Sequence, residues 1–146
     1  MVTIKEAKNF LNQAYEARNT AIALAYELAE IKKTSRKLIA SYQLTFGGTN
    51  QKCDISAEIT RIEEKASELE KERNLWLAKV KEIETFIKEL DIDVKTKRIL
   101  SLRYLSFQKW SVIQEEMKYS ERHVMRLHLL GLKFVSDKLQ NVSKCQ

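Results

Sequence analysis

The chain has 146 residues, no proline, three glycines and 32% charged residues, enough for one domain or two small ones with almost no local punctuation. That composition excludes a strand-rich fold and points to an all-α protein. No apolar run approaches the ~18–20 residues of a membrane span and no signal-peptide pattern opens the chain, so no membrane association and a cytoplasmic location are expected. The net charge is +6, and its placement is uneven. Residues 1–92 hold fifteen Lys/Arg and fifteen Asp/Glu, whereas residues 93–146 hold eleven and five, so the whole excess lies in the last third. Cys53 and Cys145 are far apart and lack metal-ligand spacing, which reads as two free thiols in a reducing compartment.

In chain order, Thr3-Ile4-Lys5-Glu6 has the spacing of a capping box and predicts a helix start. Phe10, Ala14, Ala17, Ala21, Leu24, Leu28, Ile31, Leu38 and Tyr42 follow in steps of three and four, with Ser35 filling the gap. They predict one helix to about Tyr42, with Lys32–Ser35, where the pattern thins, as the place for a kink. Its alanines favour close approach of another helix. Residues 45–53 read as a hairpin connector around Gly47-Gly48. No lysine follows at the spacing of a phosphate-binding loop. Asp54 is the expected cap of a second helix. Ile55, Ile59, Ile62, Ala66, Leu69, Arg73, Trp76, Val80, Ile83, Ile87 and Leu90 alternate in steps of four and three over five heptads, interrupted only by Arg73. The expectation for residues 1–92 is therefore a long antiparallel coiled-coil hairpin. Leu11, Tyr15, Ile22, Ala25 and Leu75 lie off that seam and suggest a second partner, most simply another copy in a homodimer.

Asp91–Val94 breaks the heptads, and Asp93 is the expected cap of the next helix. Residues 93–140 read as three short helices. The first offers Ile99, Leu100, Leu102 and Leu105, and the second Trp110, Ile113 and Met117. Lys118-Tyr119-Ser120 is the predicted turn, with Ser120 capping the third helix. Val124, Leu127, Gly131, Leu132, Val135 and Leu139 form its buried stripe, and Gly131 admits a close neighbour. This arrangement is a helix-turn-helix unit, whose last helix enters the DNA major groove. Leu129, Leu130 and Phe134 lie outside the stripe and are expected to pack on the hairpin base, a second subunit or a partner. The tail 141–146 is expected to fray.

The run Leu102–Leu139 resembles region four of bacterial sigma factors, where a leucine-rich helix precedes a helix-turn-helix of matching length and apolar spacing. It is also similar to a family of small phage and prophage proteins of uncharacterised or late-transcription-regulator type. Arg103-Tyr104-Leu105, Trp110, Ile113, Tyr119-Ser120, Arg126 and His128 carry that resemblance. It extends over the whole chain, with its specific part in the last third. The resemblance implies a sequence-specific binder of double-stranded DNA acting on transcription. Two positions depart from common helix-turn-helix usage. Gln114 stands where alanine or glycine lets the helices close, and Lys118 stands where glycine often takes positive φ, at a cost of about 1–2 kcal/mol for another residue.

On this reading Arg122 and Arg126 read bases, since the planar guanidinium matches two acceptors on guanine. Glu121, His123 and Met125 shape preference, and Ser120, Lys109, Arg103 and Lys133 hold phosphates. His123 and His128 are five residues apart, about 140° around a helix, and do not share a metal. No nucleophile–base pair or paired carboxylates stand out. No enzyme activity, cofactor or metal is expected. The rival expectation is a phage protein–protein effector that binds RNA polymerase or inhibits a host defence nuclease, with the helix-turn-helix as scaffold or for autoregulation.

Overall fold

The computed structural model describes residues 1–44 and 51–145, which form five helices and, among the described residues, no strand. They are α1 (Ile4–Leu44), α2 (Gln51–Lys88), α3 (Val94–Tyr104), α4 (Trp110–Met117) and α5 (Glu121–Lys144). The capping box forms. The Thr3 hydroxyl accepts from the Glu6 amide at 3.2 Å, and the Glu6 carboxylate accepts from the Thr3 amide and hydroxyl. These bonds hold the Glu6 carboxyl below its usual pKa.

Several helix ends differ from expectation. α1 continues through Lys32–Ser35 without a break, with local bonds from Thr34 to the Glu30 carbonyl and from Arg36 to the Lys32 carbonyl. α2 begins at Gln51, so Asp54 lies inside the helix and the expected connector is shorter. Its tip, residues 45–50, lies outside the described residues, as does the side chain of Cys53. Asp93 does stand at the N-cap of α3, yet its side chain makes no capping bond. The tail is helical to Lys144, because Ser143 bonds back to the Leu139 carbonyl and the Cys145 amide closes on the Val142 carbonyl.

The chain divides into two compact units, Met1–Arg18 with Ala78–Gln146, and Asn19–Leu77. In the first, Ala7, Leu11 and Ala14 of α1 and Ile83, Ile87 and Leu90 pack with Leu100, Tyr104, Leu132 and Val135. Each fully buried leucine or isoleucine contributes roughly 2 kcal/mol of transfer free energy. Phe10 closes an edge of this core against Phe86, ring centroids 4.9 Å apart. Leu11, expected off the seam, is fully buried, because this end of α1 is covered by residues of α3 and α5 as well as α2. A smaller cluster of Ile99, Ile113 and Val124 joins α3, α4 and α5, closed by Leu102, Trp110, Met117, Tyr119 and Leu127. Gly131 permits α3 to approach α5. A Cβ there would stand 3.0 Å from both Leu100 Cδ1 and Thr96 Cγ2.

In the second unit, Ala21, Leu24 and Leu28 of α1 are buried. Ile55, Ile59, Ile62, Ala66 and Leu69 of α2 are only half-buried. Ile31 and Ser35 share a groove with Ile62 and Ala66. Arg73 keeps its place in the α2 pattern at a cost, since its buried Nε has no acceptor and its Nη2 stands 3.9 Å from Glu70. Tyr26 and Leu75 remain 74% and 73% exposed. No helix among the described residues is long and apolar enough to cross a membrane.

Candidate functional site

The site is built on the turn between α4 and α5. α4 ends at Met117, and Lys118 takes the left-handed conformation with φ 57°. The Gln114 carbonyl accepts from both the Lys118 and Tyr119 amides, satisfying the open helix end and offsetting the strain of a lysine there. Ser120 is extended, and its hydroxyl accepts from the His123 amide at 3.3 Å. The bend and the cap thus appear at the residues that the sequence marks.

From that cap, Val124, His128, Gly131, Leu132, Val135 and Ser136 turn inward. Glu121, Arg122, Arg126 and Lys133 are exposed, and the spacing of Arg122, Arg126 and Lys133 puts all three on the outer face. His123 and Met125 are half-buried at the edge of that face. Lys109 is exposed at the N-cap of α4, and Lys118 is exposed on the bend. Arg103 is placed differently from a free phosphate ligand. It is half-buried, its guanidinium donates to the Gln108 carbonyl at 3.0 Å, and it lies 4.6 Å over the Trp110 ring. These contacts bind it into the α3–α4 connection.

Leu129, Leu130 and Phe134 are 45%, 44% and 40% exposed. Packing on the hairpin base therefore does not cover them. They share the outer side of α5 with the basic residues, because the inward side is already filled by α3, α4 and the packed residues of α1 and α2.

Three features around the site rest on contacts between elements. First, His128 is buried, and its Nε2 lies 2.8 Å from the Tyr104 hydroxyl, with Trp110 edge-on at 4.6 Å. Burial, then the Lys8 and Arg103 cations, pulls the His128 pKa down to about 4, while burial pushes Tyr104 up to about 12. Both are neutral at pH 7. Second, α1 holds the α3–α4 connection. Arg18 donates to the Leu105 carbonyl at 3.1 Å and lies 5.4 Å over Phe107, whose φ is 56°, and Tyr15 meets the same ring edge-on. Third, Arg98 of α3 pairs with Glu116 of α4 at 2.9 Å, and Lys95 lies 6.0 Å over Tyr119, bracing the bend from behind.

Compared with known proteins, the chain matches no family model, no curated protein and no solved structure.

Proposed function

We propose that α4, the Lys118–Ser120 bend and α5 form a helix-turn-helix, and that the protein binds double-stranded DNA as a transcriptional regulator of the phage or prophage type. One observation carries the reading. A capped helix follows a tight left-handed bend and presents Arg122, Arg126 and Lys133 outward, in the part of the chain that holds the entire net positive charge. A basic face next to a helix start suits phosphates, and the arginines near that start suit base edges. Arg122 and Arg126 read bases, Glu121, His123 and Met125 shape preference, and Ser120, Lys109 and Lys133 meet phosphates. The long helices α1 and α2 act as a coiled-coil hairpin whose exposed Tyr26 and Leu75 favour a homodimer reading a two-fold site.

The test is fluorescence anisotropy against duplexes selected from random sequence, titrated across salt. Each removed phosphate contact lowers the log–log salt slope by about 0.9. Arg126→Ala costs about 1–3 kcal/mol on the selected duplex and relaxes sequence choice. Binding that ignores both Arg122→Ala and Arg126→Ala overturns the assignment.

A second reading, a protein–protein effector, draws on the exposed Leu129, Leu130 and Phe134. Stoichiometric binding to purified RNA polymerase that is lost in Leu130→Glu, with no duplex selected, would replace the first reading with this one.

A further inference from the structure

We infer that His123 is a positioning residue that sets sequence selectivity by holding Arg126, rather than by touching DNA itself. The inference rests on the DNA-binding reading proposed above. Arg126 Nη2 stands 2.9 Å from His123 Nδ1. A guanidinium has only donors, so Nδ1 is the acceptor in this bond. The imidazole is fixed in turn. Its ring meets Tyr119 edge-on with centroids 4.5 Å apart, and its backbone amide is held by the Ser120 cap. Tyr119 belongs to the bend and has the Lys95 ammonium 6.0 Å over its face. A continuous set of contacts therefore runs from α3 through the bend to the guanidinium of Arg126.

An arginine on an open helix face loses much rotamer freedom when it docks, which weakens selectivity. Arg126 has one N–H engaged by His123 and keeps the others for the paired acceptors of guanine. Among the described residues Arg122 makes no bond of this kind. Arg126 is therefore the discriminating reader, and Arg122 is the adaptable one.

The experiment measures binding to a selected duplex, to the same duplex carrying 7-deazaguanine, and to random duplex. Wild type, His123→Ala and His123→Asn are compared, each with Arg126 intact and with Arg126→Ala. His123→Ala lowers the preference for the selected duplex about 5- to 10-fold, and random-duplex affinity moves less than about 2-fold. His123→Asn retains the preference, because its amide oxygen stands one bond from Cγ, where Nδ1 stood, and replaces the acceptor. In the Arg126→Ala background His123→Ala causes no further loss. Replacing guanine by 7-deazaguanine weakens wild type and His123→Asn more than it weakens His123→Ala. An equal loss on selected and random duplexes overturns the inference, as does a loss that persists without Arg126. A wild-type protein that selects no duplex overturns the DNA-binding reading itself, a separate and recognisable outcome.

Discussion

Acidification should destabilise the unit built on α3–α5 through His128. The ring is buried against Tyr104 and Trp110, and its pKa falls from 6.5 to about 4 on folding. The unfolded chain therefore binds this proton more readily than the folded one. The stability tied to the neutral ring is complete above about pH 6.5, declines as pH falls through the window down to about 4, and is gone below it. At about 1.4 kcal/mol per pKa unit the upper bound is roughly 3–4 kcal/mol. Residual solvent contact brings the expected figure to about 2 kcal/mol. The assay is urea unfolding at pH 7, 5.5 and 4.5, followed by helical circular dichroism, for wild type and His128→Gln. The glutamine can still bond the Tyr104 hydroxyl but does not titrate. Carboxylates titrate alike in both proteins, so the difference between them isolates His128. That difference should shift by about 2 kcal/mol toward the variant between pH 7 and 4.5. A difference that does not move with pH would refute the argument, because it would mean the folded protein tolerates a charged imidazole at this position.

Other substitutions probe the joints of the site. Gly131→Ala should lower stability by about 1–2 kcal/mol despite alanine's better helix propensity, since its methyl meets Leu100 and Thr96 at 3.0 Å. A rise in the thermal midpoint would show that α3 shifts freely. Lys118→Gly should raise stability by about 0.5–1 kcal/mol, relieving the positive φ, as read from a denaturant midpoint. Ser120→Ala should cost about 1 kcal/mol by leaving the His123 amide without its acceptor, with faster amide exchange confined to the first turn of α5. Sedimentation equilibrium of wild type against Tyr26→Glu with Leu75→Glu tests the proposed homodimer. Two-fold mass for wild type and single mass for the variant is the expected outcome.

What could be read from residue order alone was local. The Thr3–Glu6 capping box, the bend at Lys118–Ser120, the Ser120 cap and the inward stripe from Val124 to Val135 depend on neighbours within a turn or two. Backbone hydrogen bonding and helical periodicity announce such features directly. Gly131 belongs with them, because a glycine inside an apolar stripe signals a close neighbour without naming it. Folding decided the rest. Leu11 is buried because α3 and α5 supply a second wall beside α1, and periodicity within one helix does not announce that wall. Arg18 on Phe107, Arg103 on Gln108 and Trp110, and Tyr104 on His128 each depend on which elements meet in space. Leu129, Leu130 and Phe134 stay open for the same reason, since the inward side of α5 was already occupied. A helix carries its own hydrogen-bond pattern in its sequence, but which of its faces is covered depends on where distant segments of the chain come to rest.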